Sequence, residues 1–150
     1  MAVSFIKGDL FSYPVLYSYA HGCNCKSAMG KGIALQFRRR FPKMYEEYKE
    51  LCNRKEFGLG DVFIYSVFPY TVFNLGTQES WRTRADLLAI KGSLSKMLEY
   101  AENNNIKQIG LPKIGAGLGG LMWDEVKSVI IKLCEASVID IVVFEEYLPS

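Results

Sequence analysis

Apolar and polar positions alternate in period along the chain, and the changes of period mark its elements. Val3-Ser4-Phe5-Ile6 alternates as a strand does and closes at the turn formers of Lys7-Gly8-Asp9-Leu10. After Pro14, an aromatic and apolar run from Val15 to Cys23 predicts a buried second strand. The glycine turn Met29-Gly30-Lys31-Gly32 follows. Ile33, Leu35, Phe37 and Phe41 then mix with Gln36 and three arginines as a half-exposed helix requires, ending at Phe41-Pro42. Met44, Tyr45, Tyr48, Leu51 and Cys52 give a second amphipathic helix between Lys43 and Lys55, stopped by Gly58 and Gly60.

Two β-branched and aromatic runs, Val62 to Phe68 and Thr71 to Leu75, surround Pro69-Tyr70 and predict a hairpin. A polar loop from Gly76 to Arg84 leads to a long helix, Ala85 to Asn103, with Leu87, Leu88, Ile90, Leu94, Met97, Leu98 and Tyr100 as its stripe. Ile106 to Leu111 is a short strand. A second glycine-rich loop from Pro112 to Gly120 precedes a helix over Trp123 to Ala136 and a final buried strand, Val138 to Phe144. Strand, loop and helix alternate as in an α/β sandwich whose sheet is largely parallel at its centre. In such sheets ligands bind at the carboxyl ends of the strands, which places the loops after Cys23, Leu75 and Leu111 on one rim.

The chain has 150 residues, 49% of them hydrophobic, enough for one well-cored domain over residues 1–150. Eighteen basic and sixteen acidic residues leave a net charge of +2, which excludes a general polyanion-binding surface. Any nucleic acid contact must therefore be local. Cys23, Cys25, Cys52 and Cys134 are expected as reduced thiols, since a core of this size needs no disulfides. With no signal peptide before the first strand and no apolar run near the roughly 18 residues of a membrane span, a cytoplasmic monomer without membrane contact is expected.

The candidate chemistry lies between His21 and Pro42. A strand passing through glycines into a helix presents unpaired N–H groups and the positive end of the helix dipole, which suit a phosphate or pyrophosphate; the segment also serves as a plain turn between core elements. The nucleotide-binding Walker loop is excluded, because Cys25 stands where its first glycine is required and Gly32 where its hydroxyl is. A cysteine-phosphatase loop is excluded because Met29 and Lys31, not arginine, stand six residues after Cys23 and Cys25. His21, the only histidine, has the pKa near 6.5 of a neutral-pH acid or base, or is a hydrogen-bonded core residue. His21, Cys23 and Cys25 share alternate strand positions, but nothing has zinc-site spacing, and no metal or cofactor is expected. Arg38-Arg39-Arg40 either meets phosphates or is solvated. Trp81, Arg82 and Arg84 either contact a ligand or pack on the long helix.

Lys7-Gly8-Asp9-Leu10, Asn24, Gly30-Lys31-Gly32-Ile33-Ala34, Phe37, the run from Pro112 to Leu118 and Trp123 together resemble the macrodomains, which bind ADP-ribose. The resemblance covers nearly the whole chain. It implies a three-layer α/β/α sandwich around a mixed, largely parallel sheet. It also implies that Asp9 takes the adenine amino group, that Met29, Gly30, Lys31, Gly32 and Ile33 with Pro112, Ile114, Gly115, Ala116, Gly117 and Leu118 cradle the diphosphate and distal ribose, that Asn24 lies near that ribose, and that Leu10 and Thr77 are further ligand contacts.

Within the family the chain resembles the terminal ADP-ribose protein glycohydrolase, the antitoxins that remove ADP-ribose from DNA, and an ADP-ribose 1″-phosphate phosphatase. Gln78 stands where the glycohydrolases carry a catalytic lysine, and Gly119 where the protein glycohydrolase has an acid. His21-x-Cys23-Asn24-Cys25 resembles the phosphatase, so the resemblance implies catalysis by His21, Asn24 and Gln78; it matches no partner carboxylate, for which Asp86 and Asp124 are candidates by loop proximity only. Phosphatase action on ADP-ribose 1″-phosphate is thus the first expectation. Glycohydrolysis of ADP-ribosylated protein or nucleic acid is the second, and non-catalytic ADP-ribose reading the third.

Overall fold

The computed structural model describes residues 2–150 and contains six strands and four α-helices. In chain order these are β1 (Val3–Gly8), β2 (Ser18–Asn24), α1 (Gly32–Arg40), α2 (Pro42–Asn53), β3 (Val62–Val67), β4 (Tyr70–Gln78), α3 (Leu87–Asn103), β5 (Gln108–Pro112), α4 (Trp123–Glu135) and β6 (Asp140–Tyr147). One sheet has the strand order β1-β6-β5-β2-β4-β3, every neighbouring pair parallel except the β3–β4 hairpin. All five parallel strands therefore end on the same rim.

Alternating side chains divide between two cores. Ala20, Phe73, Leu75, Ile141 and Val143 face α3 and α4, with Ile90, Leu94, Met97, Val126 and Ile130. Tyr19, Cys23, Val72, Val142 and Phe144 face α1 and α2, with Phe37, Met44 and Tyr48. The expected three-layer α/β/α sandwich is what forms.

Boundaries differ from the sequence reading where local chemistry outweighs the apolar pattern. Val15 is not in β2: it lies in a turn at φ 59° and is 78% exposed, with Leu16 N–H bonded to Tyr13 C=O behind Pro14. The helix expected from Ala85 starts at Leu87, because Asp86 caps it by accepting from Ala89 N–H at 2.9 Å. Residues 76–78, read as loop, belong to β4. The register of β2 on β4 slips between Cys23↔Gly76 and Asn24↔Gln78, so Thr77 is an extra residue in a bulge at the rim.

Candidate functional site

A cleft of about 230 Å³ opens on the rim between the two glycine loops. Gly32, Ile33 and Ala34 form one wall, Pro112 to Ala116 with Leu118 and Gly119 the other, and Gly22, Thr77 and Gln78 the end toward β4. The walls nearly meet, since a Cβ on Gly32 would lie 3.5 Å from Leu118 Cδ1.

Each wall carries backbone donors. Lys31, at the N-cap of α1, provides no side-chain cap, so the N–H groups of the helix's first turn are left to a ligand. In the second loop, turn bonds engage the N–H groups of Ile114, Gly119, Gly120 and Leu121, while those of Gly115 to Leu118 make no hydrogen bond among the described residues. Gly115 and Gly117 hold φ of 76° and 62°, a region that favours glycine and turns successive N–H groups toward one point. Lys31 and Lys113 add cationic side chains to the lining. Two donor walls with a lysine on each have the chemistry that a diphosphate requires.

At the β4 end the bulge aims Thr77 at Gly22, where an added Cβ would stand 2.8 Å from Thr77 Oγ1. Thr77 Oγ1 donates to Cys23 C=O at 3.4 Å. Gln78 Nε2 donates to Thr83 C=O at 2.5 Å, leaving Oε1 as an acceptor on the cleft side, near Gly119. Both residues line the cleft. Gly22, Ala34, Lys113 and Gly119 also line the cleft and were not anticipated; Lys113 and Gly119 lie within the glycine-rich run that could have named them.

Other expected residues stand apart. Met29 is a core side chain at 1% exposure, and Gly30 and Gly117 are exposed without lining the cleft. Asn24 shapes its own loop: its Oδ1 accepts from Lys26 N–H at 2.9 Å and Ala28 N–H at 3.2 Å, and its Nδ2 donates to Ala28 C=O at 2.8 Å. Asp9 lies at the end of β1, separated from the cleft by the end of β6, and Leu10 beside it is wholly buried. Asp9 accepts from Phe11 N–H, Ser12 Oγ–H and the N–H and Oγ–H of Ser150. Burial works to raise its pKa, but these four donors outweigh it and hold the carboxyl below its ordinary range.

His21 requires a correction. It is fully buried, faces the α1–α2 layer and does not line the cleft. Its ring stacks on Phe37 with centroids 4.0 Å apart, and its Nε2 lies 2.6 Å from Asn74 Oδ1. Asn74 Nδ2 donates to Phe63 C=O, so Oδ1 is the acceptor and Nε2 carries the proton. Burial lowers the imidazole pKa from 6.5 to about 4, against a smaller opposing effect of the Asn74 bond. A neutral, enclosed ring cannot exchange protons with a substrate. Neither candidate partner reaches it: Asp86 caps α3 and Asp124 sits exposed in the first turn of α4.

This burial has a pH signature. The folded pKa lies below the unfolded one, so the stability that neutral His21 contributes is complete above pH 6.5 and is lost as pH falls toward 4. The full loss is on the order of 3 kcal/mol. Urea unfolding at pH 7 and 4.5 should show this fall for the wild type and a flatter profile for His21→Gln. An equal fall in both would assign the pH dependence to the carboxylates.

The model of the Macro domain matches residues 20–130, which include both glycine loops and the whole cleft lining. The chain belongs to the Macro domain family. The macrodomain is 35% identical over 136 residues to the DNA ADP-ribosyl glycohydrolase of Thermus aquaticus, a match covering 88% of this chain and 38% of that protein. The chain thus spans well under half of that relative's length. It is 28% identical over 142 residues to the ADP-ribose 1″-phosphate phosphatase of Candida albicans, covering 85% of this chain and 91% of that one. The macrodomain of Mycobacterium tuberculosis DarG superposes with a TM-score of 0.87 at 31% identity, covering 99% of this chain and 98% of that one. Among the described residues no helix of this macrodomain is long and apolar enough to cross a membrane.

Proposed function

We propose that the protein binds ADP-ribose along the rim and hydrolyses the bond that joins the distal ribose to a carrier, as an ADP-ribosyl glycohydrolase. The observation that carries this reading is the cleft between two donor-lined glycine loops, ended by Thr77 and Gln78. Asp9 takes the adenine amino group in place of Ser150, the loops hold the diphosphate, and the distal ribose faces Thr77 and Gln78. The named activity of the Thermus relative supports the glycosidic bond as the one cleaved. The phosphatase expectation rested on the His21-x-Cys23-Asn24-Cys25 match and on Gln78 in the place of the glycohydrolase lysine; an imidazole sealed beneath Phe37 gives the first no support, while the second stands and rules out a lysine-based mechanism here.

Hydrolysis replaces the bond at the anomeric carbon by a bond to water oxygen, and the carrier leaves with a proton. Gln78 Oε1 and Thr77 Oγ1 are the acceptors available to orient that water or a ribose hydroxyl. Gln78, fixed by Thr83, acts by position and not as a base. Gln78→Ala should lower kcat by about 10–100-fold while ADP-ribose affinity changes little, because the diphosphate is held elsewhere. The deciding assay compares ADP-ribosylated DNA, ADP-ribosylated protein and ADP-ribose 1″-phosphate with one preparation. Free ADP-ribose released from a macromolecule supports the proposal. Phosphate released from the ester alone makes the protein a phosphatase, and tight binding without turnover makes it a reader.

A further inference from the structure

The segment that follows β6 lies across the carboxylate proposed to read adenine. β6 runs parallel to β1 as far as the pair Gly8↔Tyr147, and Leu148 N–H extends the ladder by one bond to Gly8 C=O at 2.9 Å. Pro149 has no N–H with which to continue it. Beyond it Ser150 donates twice to Asp9 Oδ2, from its N–H at 3.1 Å and from its Oγ–H at 3.0 Å. Ser12 Oγ–H donates to the same oxygen at 3.0 Å, while Phe11 N–H at 2.9 Å engages Oδ1. Three donors exceed the roughly two lone pairs of one carboxylate oxygen, so a ligand amino group reaches Oδ2 only by displacing some of them.

The donors differ in how firmly they are held. Those of Phe11 and Ser12 belong to the short helical turn that Asp9 itself caps, and they stay with Asp9 whatever the rest of the chain does. The donors of Ser150 hang on a segment with little else to hold it. Leu148, Pro149 and Ser150 are all exposed, so no buried side chain resists their release. Their polar groups exchange protein partners for water at small net cost. Ser150 is therefore the donor that gives way, and what it offers Asp9, an N–H and an O–H aimed at one oxygen, is the same kind of contact that a base amino group makes.

We propose that residues 148–150 form a strap that competes with adenine for Asp9, so that ADP-ribose binds and leaves by exchange with Ser150 and is held more weakly than the open site would hold it. This rests on the reading that Asp9 takes the adenine amino group. The strap lowers affinity by the fraction of molecules in which it is shut, and only for ligands that need Asp9. In a hydrolase whose product is ADP-ribose, such a competitor speeds product release. Ser150→Pro removes both donors and should bind ADP-ribose at least about fourfold more tightly than the wild type, as for a strap shut in about three molecules of four. Ser150→Ala keeps the N–H and should fall between them. Ribose 5-phosphate, which carries no base, should bind all three equally, as read by NMR titration. The converse protein combines Ser12→Cys with Ser150→Cys, at positions whose Oγ atoms lie 2.7 Å apart. Oxidised glutathione, which takes up the two electrons and two protons of the thiol pair, should tie the strap shut. ADP-ribose affinity should then fall at least about tenfold, the lower worth of a hydrogen bond to a charged group, and recover on reduction. Asp9→Ala, made in the Ser150→Pro protein so that no strap intervenes, tests the adenine reading separately: ADP-ribose affinity intact there sinks that reading and the strap with it, as does a complete lack of ADP-ribose binding. Affinity weakened there keeps the reading. The strap alone is overturned if Ser150→Pro then binds ADP-ribose no more tightly than the wild type, or if ribose 5-phosphate gains by the same factor.

Discussion

Gly32→Glu is expected to abolish ADP-ribose binding while the protein stays folded. Gly32 opens α1 at φ 60°, lines the cleft and faces Leu118 across it. A side chain there costs about 1–2 kcal/mol of backbone strain, which a domain of ordinary stability, about 5–15 kcal/mol, can bear. Its carboxylate would stand where the account places the diphosphate. Two like charges about 4 Å apart in partly shielded surroundings repel by roughly 4 kcal/mol, so affinity should fall by at least about a hundredfold. Gly32→Ala, which adds strain without charge, should lose far less. Calorimetric titration of both variants, with circular dichroism as the check on folding, separates the two effects. Normal affinity in folded Gly32→Glu would move the diphosphate out of this cleft.

Phe37→Ala is expected to cost about 3–5 kcal/mol of folding free energy, the usual range for deleting a buried aromatic ring. Phe37 has no exposure and joins α1 to the sheet, with His21 stacked on it and Phe11 and Tyr19 meeting it edge-on at 4.9 and 6.2 Å. Removing it also uncovers His21, whose depressed pKa depends on that burial. The variant should therefore unfold at lower urea than the wild type and show a shallower loss of stability between pH 6.5 and 4. A urea midpoint within error of the wild type would mean that α1 is held mainly by other contacts.

Elements bounded by their own local chemistry were legible in the sequence, and the site was legible where it is backbone. The stripe from Leu87 to Tyr100 is long and strongly periodic, and α3 follows it to within its cap. The two glycine loops could be placed because a strand end, glycines and a helix start all leave marks in sequence. What escaped depended on neighbours far along the chain. His21 and Asn74 are 53 residues apart and Phe37 lies on another element, so nothing near position 21 says that the imidazole points into the core. Asn24 could be read equally as a ligand contact or as the anchor of its own loop, and the structure employs both polar atoms of its side chain locally. Thr77 was named through the resemblance alone: it reaches the cleft through a bulge fixed by pairing between β2 and β4, which periodicity within either strand does not encode.

Backbone amide NMR during titration with ADP-ribose tests the central claim, that the cleft between the glycine loops holds the ligand, most directly. The account predicts that the largest shifts fall on Gly32, Ile33, Ala34 and Gly115 to Leu118, with smaller ones at Thr77, Gln78 and around Asp9. The hollow beside Ile64, Tyr100 and Asn103, toward the C-terminal end of α3, should stay unmoved. Shifts centred on that hollow, or a saturating titration that leaves both glycine loops unshifted, would contradict it.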